Sequence, residues 1–457
     1  MTKKILPLII LTATMLLMAS CLKDDDDTSY TTYDDAALTT FSLTAANQYH
    51  HTTGSAGNDS VYMTTVTTSQ YTFYIDQTQG MVWNPDSLPY GTDAKHLLAT
   101  ITAKNGGHIL LKSMTSDSLT YYSSTDSIDF SQPRTLRIYS NDGSDYRDYM
   151  VKVNVHQEYG DTLLWTEVAN LPEVREAQHM KLFSISNTLY LLTSDGTTTQ
   201  LWSGGTDGKT WAVSNTTQDA NAWKNAVVKG DALYVLTSNS LRRMTADGKW
   251  SSKSARTLWQ LVGASTTELY ATNRSGELVA SSDEGTTWRT ETIDEATALL
   301  PTDNITCTTH VVKTNNEIER VTITGTTSGS DHAVSWTKYV DHNDPYRHNQ
   351  WMYVDQAGDY QYALPKLNPL VTFAYDDKDV ALGVYASAGT FSDFLVSSDA
   401  GVTWMKNSEY VLPQSLTTTN GLFAATVDNR NFIWILSGNG KLWRGRITRL
   451  GWEKVED

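Results

Sequence analysis

The chain has 457 residues, of which 51 are acidic and 35 basic, giving a formal net charge of −16. A surface this acidic repels nucleic acid and anionic lipid headgroups, which excludes nucleic acid as a partner. Its only cysteines are Cys21 and Cys307.

Lys3 and Lys4 open the chain, residues 5–18 are apolar, and Ala19, Ser20 and Cys21 follow at once. A charged start, an apolar run and small residues are the layout of a secretory signal, and the run is too short to span a bilayer as a helix. Leu22-Lys23 and the four aspartates Asp24 to Asp27 come next. Leu17-Met18-Ala19-Ser20-Cys21 resembles the lipobox of bacterial lipoproteins, with Met18 where leucine is usual. The acidic run after it resembles the export signal of Bacteroidota surface lipoproteins. The resemblance implies that residues 1–20 are removed and that Cys21 carries the lipid. It also implies that the protein is anchored in the outer membrane and displayed at the cell surface. Each acyl methylene that enters the bilayer adds about 0.8 kcal/mol to such an anchor. With Cys21 acylated no intramolecular disulfide is open to Cys307, and the fold must hold by packing. Residues 21–37 read as an acidic flexible tether, and Asp24 to Asp27 as a solvated run rather than a calcium site.

Downstream, short runs rich in Val, Thr, Tyr and Trp alternate with Gly, Asp, Asn and Ser turns, the signature of an all-β chain. Over residues 38–157 the strands do not repeat. They include residues 38–43, 61–66, 71–75, 134–139 and a last strand over 146–155. In that last strand Tyr149, Val151, Val153 and Val155 share one face, with Lys152 and Asn154 on the other. Asn141-Asp142-Gly143-Ser144 reads as a hairpin turn, and Asn84-Pro85-Asp86 as a second turn. About seven strands in this length predict an Ig-like β-sandwich. Asp129-Phe130 and the strand, Asp-Gly turn and Tyr-x-Val strand that follow resemble bacterial Ig-like domains of surface lipoproteins, which imply no activity.

Residues 158–457 are repetitive. Ser281-Ser282-Asp283-Glu284-Gly285-Thr286-Thr287-Trp288 and Ser397-Ser398-Asp399-Ala400-Gly401-Val402-Thr403-Trp404 both read Ser-x-Asp-x-Gly-x-Thr-Trp. Degenerate copies lie at residues 206–211 and 245–250. The two full copies resemble the Asp-box of sialidase-like β-propellers, a turn in which Ser281, Asp283, Gly285, Thr287 and Trp288, with Ser397, Asp399, Gly401, Thr403 and Trp404, have structural roles. Asp and Ser would bond within the turn, Gly would relieve crowding, and Trp would bury against the next blade. Candidate inner strands at 181–185, 225–228, 258–263, 306–313, 370–374 and 422–426 give a six-bladed propeller. Leu163-Leu164-Trp165-Thr166-Glu167-Val168 looks like an outer strand that closes the ring. Residues 451–455 compete for the same place, which leaves seven blades open.

The sialidase likeness implies a divergent glycoside hydrolase as an alternative function. Such enzymes clasp a carboxylate with three arginines, the first in a Phe/Tyr-Arg-Ile-Pro motif. Here Leu136-Arg137-Ile138-Tyr139 lacks the proline and lies before the propeller, and Arg274, Arg320, Arg430 and Arg444 are scattered. No catalytic residue is therefore assigned. Asp341, His342, Asp344 and His348, with His332 upstream, lack a metal-ligand spacing and read as an expanded turn, so neither metal nor cofactor is expected. Cys307 reads as a small core residue. The remaining expectation is a recognition surface for glycan or protein on the loops that enter the inner strands and the hairpin loops beside them. Its candidates are Trp223, Trp259, Arg274, Tyr360, Tyr362, Tyr385 and Tyr410. The whole mature chain, through the segment around residues 76–93, resembles a Bacteroidota surface lipoprotein family with an Ig-like domain and a propeller. That family implies architecture and location and no activity.

Overall fold

The computed structural model describes residues 32–53, 59–186, 188–205, 207–344, 348–354 and 361–452. The predicted signal segment, Cys21 and Asp24 to Asp27 lie outside the described residues. The chain divides into two compact units, residues 1–159 with 454–457, and residues 160–453. Strands make up nearly all of the regular structure in both. No helix among the described residues is long and apolar enough to cross a membrane.

In the first unit, ten described strands form a six-stranded sheet, a two-stranded pair and a hairpin. Alternation of the kind a half-buried strand requires sets the core: Leu136 and Ile138 from one strand and Tyr149 and Val151 from the next are fully buried against Leu38, Val82 and Leu88. Arg134–Tyr139 and Tyr146–Lys152 pair antiparallel through the turn at Gly143, whose φ of +73° only glycine adopts freely. The last strand stops at Lys152, three residues earlier than the alternation predicts. Asn84 takes over there: its Oδ1 accepts from the Asn154 backbone N–H at 2.7 Å, while its Nδ2 donates to the Asn154 carbonyl at 2.9 Å. A side-chain amide thus satisfies the backbone that a ladder would otherwise pair. The strand predicted over 61–66 is one arm of an exposed hairpin, Asn47–Thr53 with Asp59–Thr65.

The second unit contains six sheets among its described residues, spanning 179–219, 226–254, 258–290, 303–353, 370–406 and 423–447. In the first five, four strands run antiparallel in chain order, the fifth with a two-residue strand added at Thr390–Phe391; the sixth has three strands in this range. The second strands are largely buried, Ala232–Leu236 and Ile433–Ser437 at every residue, because each is covered by sheets on both faces. The inner strands His179–Ile185, Ala226–Lys229, Leu258–Ala264, Asp303–Val312, Leu370–Tyr375 and Phe423–Val427 pack around a common axis, the first against the last. Ring closure comes from the chain's early strand: Leu163–Asn170 pairs antiparallel with Lys441–Ile447 as the fourth strand of the last sheet. Trp165 lies on Gly445, where a Cβ would come within 2.4 Å of the indole. The competing segment does not form a strand; Thr448–Gly451 is a turn of 3₁₀ helix, and residues 453–455 are outside the described residues.

Buried charges fasten neighbouring sheets. Asp379, 1% exposed, accepts from Thr308 at 2.6 Å, His310 at 2.8 Å and Arg320 at 2.8 Å. Burial would raise its carboxyl pKa, but these partners outweigh that and hold it below the usual range. Between the third and fourth sheets, Lys338 meets Glu268 and Glu291, and Arg289 bonds both carboxylates.

Candidate ligand channel

The six inner strands enclose a channel of about 430 Å³, with wall residues from every sheet. Because each sheet is antiparallel and starts at its inner strand, all six inner strands begin at one end of the ring, which forms the mouth. The third-to-fourth strand turns, two of which carry the Ser-x-Asp-x-Gly-x-Thr-Trp segments, fall at the opposite end.

His179 and Trp223 stack at the mouth with ring centroids 4.4 Å apart and planes within 7°. Partial burial and the nearby Lys224 push the imidazole pKa down, against the pull of Asp303. Lys224, Asp303 and Asn304 belong to the same rim. Trp259 lies at the start of its inner strand, 63% exposed, with the Arg274 guanidinium 5.8 Å over its ring. Arg274 is held by its Nε, which donates to the Arg256 carbonyl at 2.8 Å.

Deeper in, Lys181 donates to the Ala226 carbonyl at 3.0 Å. The side chain lines the channel half-buried, and desolvation there pushes its pKa down to about 8. Cys307 sits on the fourth sheet, across the ring from Lys181 on the first, with Sγ 3.6 Å from the Ala264 carbonyl. It packs against the core between the third and fourth sheets, as predicted, and also forms part of the channel wall, seated where Gly263 leaves no side chain in its way. Burial raises its thiol to about 12, which keeps it protonated and unreactive. Thr306 and Thr372 share a hydrogen bond of 2.6 Å on the same wall. Lys181, Gln260 and the threonines escaped sequence reasoning because strand alternation places residues on a sheet face without showing which ones meet the axis.

The other candidates disperse. Tyr362 and Tyr385 are 47% and 39% exposed but make no ring contact with the mouth. Tyr410 is 2% exposed, its ring against Tyr375 and Phe394, so it belongs to the core and not to a recognition surface. Tyr360 lies outside the described residues. The scattered arginines do not meet at the channel: Arg320 is spent on Asp379, while Arg430 and Arg444 pack over Phe432. Among the described residues no three His, Cys, Asp or Glu side chains could share a metal ion. His342 of the expanded turn faces Glu319 at 3.4 Å.

In both full boxes the serine hydroxyl donates to the aspartate at 2.8 Å. The glycine N–H donates to the same serine, and the threonine N–H and hydroxyl donate to the aspartate. Trp288 and Trp404 each donate from Nε1 to the box glycine carbonyl, at 3.2 and 3.1 Å. The packing partner is the preceding sheet, not the next one as predicted: Gly285 rests on Leu241 and Gly401 on Ser335. In the first degenerate copy Thr206 lies outside the described residues, but Trp211 keeps the bond to Gly208 at 2.9 Å.

Residues 159–455 match the family described as the DUF6242 beta propeller domain, and residues 41–153 match the DUF6242 N-terminal domain. This chain belongs to the DUF6242 family. The second unit is accordingly a β-propeller. No curated protein is significantly similar to this DUF6242 chain in sequence. Among solved structures it is similar to YCF48 bound to D1 peptide, at 11% identity and TM-score 0.34, over 62% of this chain and 95% of that one. It is also similar to YCF48 from Cyanidioschyzon merolae, at 17% identity and TM-score 0.32, over 62% and 98%. A Penicillium chrysogenum alpha-L-arabinanase complexed with arabinobiose matches at 11% identity and TM-score 0.37, over 63% and 99%. At these values no activity passes from those proteins to the DUF6242 chain.

Proposed function

We propose that this DUF6242 chain is a non-catalytic recognition module that binds a glycan or protein partner at the mouth of its propeller channel. The observation that carries this reading is the composition of the channel wall, which has one carboxylate, Asp303, and no arginine. Glycoside hydrolysis uses two carboxyl groups, about 5–5.5 Å apart for retention or roughly 6.5–9.5 Å for inversion. The channel offers no such pair, whereas the Trp223–His179 stack and the partly exposed Trp259 offer flat apolar faces suited to a sugar ring or a side chain.

The wider proposal is architectural and cellular. The propeller is six-bladed, closed by Leu163–Asn170; the first unit is an Ig-like sandwich; and the lipobox-like segment ending at Cys21 anchors the protein to the outer membrane, at the cell surface. The paired strands and buried core of each unit support the first two parts, and the sequence pattern supports the last.

The test is a screen of the soluble protein lacking residues 1–21 against glycan and surface-protein arrays, followed by Trp223→Ala and Trp259→Ala. At least tenfold weaker binding in either variant, with unchanged melting, supports the reading. Release of sugar from sialosides or other glycosides by the purified protein would replace it with the alternative, a divergent sialidase-like hydrolase.

A further inference from the structure

The channel holds a cation with nothing of opposite charge beside it. Lys181 makes no ion pair among the described residues, and its only side-chain hydrogen bond is to the neutral Ala226 carbonyl. On the same wall lies Gln260, 7% exposed, whose amide brings two donors and an acceptor to a channel-lining position. Lys181 is held by the Ala226 carbonyl and by the Phe183 ring 5.6 Å away, so an enclosed ammonium is left with no counter-charge among the described residues, which a bound anion would supply. The volume of about 430 Å³ falls within the roughly 300–1,000 Å³ of small-molecule sites.

We infer that the channel binds a small monoanion through a carboxylate that pairs with Lys181 and accepts from the Gln260 amide. This inference rests on the channel mouth being the ligand entrance. One buried positive charge balances one negative charge; a dianion such as a phosphate ester would leave an excess buried charge in an already acidic protein. Hydroxyl groups at Thr306 and Thr372 and the aromatic pair at the mouth suit the polar and apolar faces of an acidic monosaccharide. A free organic acid presents the same carboxylate.

Calorimetry on the purified full chain with glucuronate, acetate, glucose and chloride tests this. Binding of glucuronate but not glucose, weakened at least tenfold in Lys181→Met, is the expected result. Acetate binding comparably would identify a free acid as the ligand class, and glucuronate alone an acidic sugar. Affinity should fall as pH rises through about 8, where the lysine loses its proton; Cys307, which faces it, stays protonated there, and the other titratable groups at the channel are His179, Lys224 and Asp303 at the rim. Chloride binding as well as glucuronate would reduce the site to one for an adventitious ion only and overturn the inference, as would glucuronate binding indifferent to Lys181→Met. Should that variant fail to fold, NMR of the wild-type lysine Cε decides: glucuronate must raise the Lys181 titration midpoint, and an unmoved midpoint rejects the site. If an array ligand depends on Trp223 while glucuronate ignores Lys181, the recognition reading survives and this one falls. Lys181-dependent glucuronate binding without any array ligand gives the reverse.

Discussion

Gly285 of the first Ser-x-Asp-x-Gly-x-Thr-Trp segment lies so close to Leu241 of the preceding sheet that a Cβ on it would come within 2.2 Å of Leu241 Cδ2. Its φ of +82° adds a conformational requirement to the steric one. The box is therefore a joint between sheets, in which the turn's own hydrogen bonds shape a flat surface for the neighbour. In the last degenerate copy Gly248 has the positive φ of +78° but nothing within 4 Å. That pair separates the two requirements. Gly248→Ala should cost only the left-handed backbone term, about 1–2 kcal/mol. Gly285→Ala should cost that plus overpacking of about 1–3 kcal/mol. Chemical denaturation of the two variants checks the difference; equal losses would mean that the joint gives way freely.

Trp404 is 3% exposed, whereas Trp288 is only half-buried. Trp404→Ala is expected to destabilise the propeller by about 3–5 kcal/mol, the range for a fully buried aromatic, and Trp288→Ala by clearly less. Neither should remove a ligand site at the channel mouth selectively. Denaturant midpoints read the first expectation and binding of an array ligand the second; a Trp288 variant with native stability and no binding would reassign the box to recognition.

Replacing Asp379 by Ala strands Arg320 and His310 beside a buried gap and should cost about 3–5 kcal/mol. Its pH signature follows from the lowered carboxyl pKa. A carboxylate whose folded pKa lies below its unfolded value contributes stability above about pH 4, and the contribution is lost as pH falls through the folded pKa. Thermal melts from pH 6 to pH 2 should thus show a steeper acid loss for wild type than for Asp379→Asn, and parallel curves would contradict the assignment.

Anchorage rests on Cys21 in the proposed lipoprotein. Cys21→Ser should move the protein from the membrane fraction to the soluble one, and full retention of the variant would refute lipidation. Alanine at Asp24 to Asp27 should leave lipidation intact and reduce surface display, measured as resistance to protease added to whole cells.

Sequence alone determined the elements that depend on local chemistry. Alternation placed the inner strands close to their observed bounds, Asn141-Asp142-Gly143 specified a turn, and the Ser-x-Asp-x-Gly-x-Thr-Trp pattern identified a repeat because its hydrogen bonds close within eight residues. Leu163-Leu164-Trp165 could be read as an outer strand by the same logic. Only the tertiary structure decided what depends on residues far apart in the chain. It put Tyr410 in the core, turned the box tryptophans toward the preceding sheet, and replaced the end of a strand by the Asn84–Asn154 exchange. It brought Lys181 and Cys307 to opposite walls of one channel. A strand's period of two fixes which residues share a face, but which face meets a neighbour, and which edge meets the axis, is set by how six sheets close on one another.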